Sequence, residues 1–128
     1  RLAHEKHPLP PPYVLNAQDA SAMTEAGAEI IVPHMGLTTG GSIGAETALT
    51  LADCVSLINE WAQAAKQVRE DVIVLCHGGP IATPEDASYI MQHCPLVDGF
   101  YGASSMERLP TELALTETTR QFKKINRD

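Results

Sequence analysis

Apolar residues in this chain gather into four short runs, separated by longer stretches in which they recur at helical spacing. The first run, Tyr13-Val14-Leu15, stops at Asn16, a helix-capping residue with Asp19 three positions on. The helix this predicts is short, carries Ala20 and Met23 on one face, and ends at Gly27, which tolerates the left-handed conformation past a helix end. Ile30-Ile31-Val32 reads as a strand too apolar for one-sided burial, the pattern of parallel strands covered on both faces. Thr50 with Asp53 opens a second helix, whose Leu51, Val55, Ile58, Ala62 and Ala65 share a face. Val72 to Cys76 is the third strand. Thr83-Pro84-Glu85-Asp86 supplies a capping hydroxyl, a proline in the first turn and an acid at the third position, so a third helix starts there and runs to about His93. Val97 to Tyr101 makes a fourth strand, and Pro110 to Ile125 a last helix with Leu115, Thr119, Phe122 and Ile125 facing inward.

Strands alternating with helices imply a parallel sheet with right-handed crossovers. The phrase from Asp19-Ala20-Ser21 to Gly36 recurs from Asp86-Ala87-Ser88 to Gly102 at nearly equal spacing, so the chain repeats one βα unit. The fold class is therefore α/β, a parallel (βα)4 segment, and four units are half of a TIM barrel of about 250 residues. An open flavodoxin-like sheet is the alternative, but neither a Rossmann glycine fingerprint nor a Walker sequence ending in Gly-Lys-Ser or Gly-Lys-Thr is present. Residues 1–128 read as one βα-repeat domain, with 1–12 a helix tail (Arg1 to Lys6) and a proline-rich linker (His7 to Pro12).

Composition narrows the function. With 44% hydrophobic and 20% charged residues the chain is expected to fold. Its net charge of −7 offers no basic surface for nucleic acid or an anionic membrane, and no apolar stretch approaches the roughly 20 residues of a membrane span. Cys54, Cys76 and Cys94 are odd in number and lie in or beside apolar runs, the usage of reduced thiols, which points to the cytoplasm.

Three phrases resemble a known family. The run from Ile31 through Pro33-His34-Met35-Gly36-Leu37-Thr38-Thr39-Gly40-Gly41-Ser42-Ile43-Gly44 to Ala45 resembles the signature of the phosphoenolpyruvate hydrolase-like family, a TIM-barrel domain similar to indole-glycerol-phosphate synthase. Leu75 to Ile81 and Gly99 to Glu112 look like that barrel's seventh and eighth strand ends. The resemblance implies the C-terminal half of a barrel and lyase or hydrolase chemistry of the phosphoenolpyruvate mutase type. It also implies that the metal-binding acids of such a lyase would lie on earlier strands that this sequence does not contain.

The candidate residues follow the strands. Gly78, Gly79, Gly102, Ser104 and Ser105 would bind phosphate in the loops after strands seven and eight, where barrels commonly do so; otherwise the glycines only turn the chain and a serine caps a helix. His34 and His77 each follow a strand directly and suit acid–base work, with loop hydrogen bonding as the structural alternative. Glu46 is a third candidate catalytic group, and with the two histidines it forms a set that suits several divalent ions, although unlinked ligands make a weak motif and assign no metal. Thr38, Thr39, Gly40, Gly41 and Ser42 form a lid-like loop without the lysine of a nucleotide loop. Arg108 would grip a carboxylate, or else form a surface ion pair.

Two functions of different classes emerge. One is a barrel enzyme acting on a small anionic, phosphorylated or carboxylated metabolite; the other is a non-catalytic self-association or accessory domain. A four-stranded segment of barrel leaves open edges and an uncovered inner face, so a homo-oligomer is expected.

Overall fold

The computed structural model describes residues 9–42, 44–46 and 49–125, so the helix tail expected at Arg1 to Lys6 lies outside the described residues. Four strands, β1 (Tyr13–Val14), β2 (Ile30–Pro33), β3 (Ile73–Cys76) and β4 (Gly99–Phe100), pair in sequence order, and every pairing is parallel. Between and after them run α1 (Ala17–Glu25), α2 (Leu51–Val68), α3 (Pro84–His93) and α4 (Arg108–Lys123). This is a (βα)4 half barrel, with neighbouring strands joined through helices as the alternation of patterns predicts.

The helix starts are built as their residues dictate. The Asp19 amide donates to Asn16 Oδ1 at 2.7 Å. Thr50 and Thr83 each form a reciprocal capping box, with Asp53 and Asp86 respectively. Each such cap stabilises its helix by roughly 1 kcal/mol. Gly27 has a φ of 98°, the left-handed value that its place after α1 requires. On α1, Met23 is exposed and Thr24 is buried instead, its hydroxyl donating to the Ala20 carbonyl at 2.7 Å. That internal bond removes the cost of burying the hydroxyl.

One face of the sheet carries the core. Val14, Ile31, Val74 and Cys76 pack with Cys54, Ile58, Trp61, Ala62 and Ala65 of α2 and with Ala87 and Ile90 of α3. The alternate strand residues do not share that cover: Tyr13 is 47% and Ile73 42% exposed. The expectation of burial on both faces holds for β2, whose neighbouring Ile31 and Val32 are both fully buried, and is corrected for β1 and β3. Residues of that parity fill the interior of a closed barrel; in this sheet Val32 is covered, while Tyr13 and Ile73 stay open.

The last helix departs from expectation more. It begins at Arg108, two residues before Pro110, whose missing amide hydrogen is harmless in a first turn. None of its described residues is buried, and Leu115 (65% exposed), Thr119, Phe122 (69%) and Ile125 (71%) face solvent rather than inward. The spacing of apolar residues reveals a stripe but not what the stripe packs on, and two-residue β4 offers little surface beside it.

Candidate functional site

The strand register brings the two histidines together. Val14 sits opposite Pro33, and Cys76 opposite Phe100; one position beyond β2 and β3, His34 and His77 bridge each other in parallel register. The backbone holds them there: the His34 amide donates to the Val14 carbonyl at 3.0 Å and the Met35 amide to the His77 carbonyl at 2.9 Å. Their rings lie 5.1 Å apart, edge to face. Tyr13 stacks flat on His77 at 5.1 Å and meets His34 edge-on at 4.9 Å, while Tyr101 closes on His77 at 5.6 Å. Three rings from the ends of β2, β3 and β4, with Tyr13 of β1, thus form one cluster toward the C-terminal end of the sheet.

His77 is 6% exposed, and its Nδ1 lies 2.7 Å from the Tyr101 carbonyl oxygen. Burial pulls its pKa below the ordinary imidazole value, the Tyr101 carbonyl opposes this, and His34 beside it adds to the lowering. His34 is half-buried, and its Nδ1 accepts the Gly36 amide at 3.0 Å.

Gly78 and Gly79 let the loop after β3 press on the loop after β2. Their φ angles are 80° and 58°, and a Cβ on Gly79 would lie 2.2 Å from the Met35 carbonyl oxygen. The Gly79 amide donates to the Gly36 carbonyl at 2.7 Å, and the Gly79 carbonyl accepts from the Thr39 amide and hydroxyl. Its amide is committed within the protein, so Gly79 shapes the shelf beside His77 rather than offering a donor to an anion.

Ser104 and Ser105 lie in the turn that leads into α4. The Ser104 carbonyl accepts the amides of Arg108 and Leu109, while no described residue accepts the amides of Ser104 or Ser105. Ser105 borders two clefts. One, of about 700 Å³, runs between α3 and the start of α4 past Ala87, Met91, Phe100 and Met106. Its neighbour, of about 750 Å³, is bordered by Gly41, Ser42, Thr83, Glu112 and Arg120. Neither cleft is lined by His34 or His77.

The glycine loop links these two places. Thr39 is tied to Gly79, and further along the Glu112 carboxylate accepts the Ser42 amide at 2.9 Å and the Ser42 hydroxyl. Arg108 donates to the Gly40 carbonyl at 3.3 Å and pairs with Glu112 at 3.2 Å. Arg108 therefore anchors the loop in this conformation. Glu46 is exposed, and among the described residues no three His, Cys, Asp or Glu side chains converge as a metal site. The residues present do not fit the divalent ion considered from His34, His77 and Glu46. Cys76, next to His77 in sequence, is buried on the opposite side of the strand, and burial pushes its thiol up to about 12.

Tyr13, Tyr101 and Glu112 escaped the reading of the sequence. Tyr101 follows β4 as His77 follows β3, a register that could have been read from the aligned strand ends. Nothing local marks Glu112, which meets Ser42 across 70 positions.

The parallel βα order, with imidazoles at the C-terminal strand ends, defines a barrel-type α/β domain. The chain belongs to the phosphoenolpyruvate hydrolase-like family, which its residues 1–125 match. It is 53% identical over 124 residues to the tomato mosaic virus (ToMV) susceptible protein tm-1(GCR26) of Solanum lycopersicum, covering 97% of this chain and 16% of that protein. The ToMV resistance protein Tm-1(GCR237) of the same plant gives the same identity and coverage. A putative transcriptional regulatory protein, y4pA of Sinorhizobium fredii, is 28% identical over 98% of this chain and 20% of its own length. The chain thus spans a small part of these relatives. No helix among the described residues is long and apolar enough to cross a membrane.

Proposed function

We propose that this chain is half of a barrel enzyme domain that binds a small phosphorylated or carboxylated metabolite at the C-terminal ends of its strands, for lyase- or hydrolase-type chemistry. The observation that carries this reading is the bridged pair His34 and His77, held by backbone at the end of a parallel sheet, where active sites of such barrels lie. In this reading the unaccepted amides of Ser104 and Ser105 and the backbone around Gly102 receive the anion, Gly78 and Gly79 shape the shelf, and the imidazoles handle protons. The loop Thr38 to Ser42, held through Glu112 and Arg108, closes the side. Freed from the Gly40 carbonyl, Arg108 is the cation placed to meet a carboxylate.

Thermal melts test it. A ligand that binds only the folded state at about 100 times its Kd adds about 2.7 kcal/mol, so phosphate and phosphoenolpyruvate are expected to raise the melting temperature. Flat melts in both would remove the metabolite.

One observation favours the second reading, a self-associating or accessory domain: Tyr13 and Ile73 stand exposed on the open inner face. We propose that a second copy of the chain covers this face. Sedimentation at micromolar concentration is expected to show a dimer that Ile73→Glu dissociates; a folded monomer before substitution would refute this.

A further inference from the structure

The hydrogen bonds at the two imidazoles differ in direction. A carbonyl oxygen only accepts, so His77 Nδ1, 2.7 Å from the Tyr101 carbonyl, must carry a hydrogen. A backbone amide only donates, so His34 Nδ1, which receives the Gly36 amide at 3.0 Å, must be bare. In the neutral ring one nitrogen bears the hydrogen and the other does not. His77 is then bare at Nε2, and His34 carries its hydrogen there. No buried side-chain nitrogen or oxygen among the described residues lacks a partner, and no described residue bonds either Nε2, so both are open to solvent or ligand.

We propose that this pair is a preset base and donor: His77 Nε2 takes a proton from the bound ligand, while His34 Nε2–H donates a hydrogen bond to the ligand oxygen on which charge develops. The inference rests on the proposed function and names the ligand class more closely, a small acid with an ionisable hydrogen beside a carbonyl or carboxylate. Phosphoenolpyruvate, which has no such hydrogen, serves as an unreacting binding probe that shares the carboxylate and phosphate. When that hydrogen leaves, its bonding pair stays on the ligand and the proton bonds to Nε2 of His77. The charge reaches the neighbouring oxygen, beside the His34 N–H, and solvent or product later carries the proton away. Donors preset toward developing charge are a large source of rate.

The surroundings keep the roles apart. The titratable groups facing His77 are His34 from the end of β2, Tyr13 from β1 and Tyr101 from the end of β4. The rings around it carry no carboxylate to hold a proton on Nε2, and burial further favours the neutral ring. For His34 the Gly36 amide occupies Nδ1, so the ring's hydrogen sits on Nε2. His34 thus stays a donor, and His77 is the group free to accept.

Proton–nitrogen correlation spectra of the imidazoles test this at about pH 8, above the ordinary imidazole value of about 6.5, with signals assigned by loss in His34→Gln and His77→Asn. The expected result is a hydrogen on Nδ1 of His77 and on Nε2 of His34, with both Nε2 signals moving as phosphoenolpyruvate is added. The same tautomer in both rings would overturn the assignment of roles, whatever the ligand does. Opposite tautomers with no response to millimolar phosphoenolpyruvate would instead overturn the proposed function, and with it the catalytic meaning of the pair. In the supporting case His34→Gln, which keeps a donor, binds phosphoenolpyruvate within a few-fold of the parent, whereas His34→Leu weakens it about tenfold, the loss of one hydrogen bond.

Discussion

The Glu112 carboxylate accepts both the amide and the hydroxyl of Ser42, so the N-terminal part of α4 holds the glycine loop that follows β2. These bonds, then Arg108, hold the Glu112 pKa below its ordinary 4.5. A depressed carboxylate supports the folded arrangement above its unfolded value and loses that support as pH falls through the folded one. The Ser42 amide resonance is therefore expected to hold steady above about pH 5 and to move below 4.5, as Glu112 protonates. Glu112→Gln should abolish that step; a titration unchanged by the substitution would show that the clasp is absent in solution.

Gly79 and Gly36 both adopt positive φ, 58° and 101°, but only Gly79 is crowded, by the Met35 carbonyl, whereas a Cβ on Gly36 meets nothing. Gly36→Ala should cost about 1 kcal/mol of backbone strain, and Gly79→Ala should cost more, because the loop after β2 must move as well. Chemical denaturation of both variants measures the difference. Equal costs would mean that the two loops are not packed together.

All three thiols are free and buried. Burial pushes Cys54 up to about 11 and Cys76 to about 12, and raises Cys94. Since the thiolate is the reacting form, a disulfide reagent at neutral pH should find none of the three within minutes and all three in denaturant. Rapid native reaction of Cys76 would place it in an open site.

Ile58 is fully buried in α2, and Leu115 is 65% exposed on α4. Ile58→Ala should cost about 2–5 kcal/mol, while Leu115→Ala should stay within about 0.5 kcal/mol. A large loss from Leu115→Ala would show that α4 packs in solution as its sequence suggests.

The residues that announced the fold did so through local chemistry. Asn16, Thr50 and Thr83 start helices because each side chain caps its own first turn, and the apolar face of α2 fell on Ile58, Ala62 and Ala65 as spaced. His34 and His77 were legible as strand-end residues, and parallel order then placed them side by side. What local pattern cannot carry is partnership. The stripe of Leu115 and Phe122 has helical spacing but no surface to meet, and Ile73 belongs to a buried-looking strand whose inner face is uncovered. Likewise Arg108 read as a ligand-binding cation because nothing nearby in sequence reveals the Gly40 carbonyl 68 positions away.

The most direct test of the central claim, a metabolite site at the strand ends around His34 and His77, is an amide and imidazole titration with phosphoenolpyruvate. The account predicts saturable shifts at Gly102, Ser104 and Ser105 together with the His34 and His77 rings, all following one binding curve. Shifts confined to the apolar cleft beside Met91 and Met106, or none at any concentration, would contradict it.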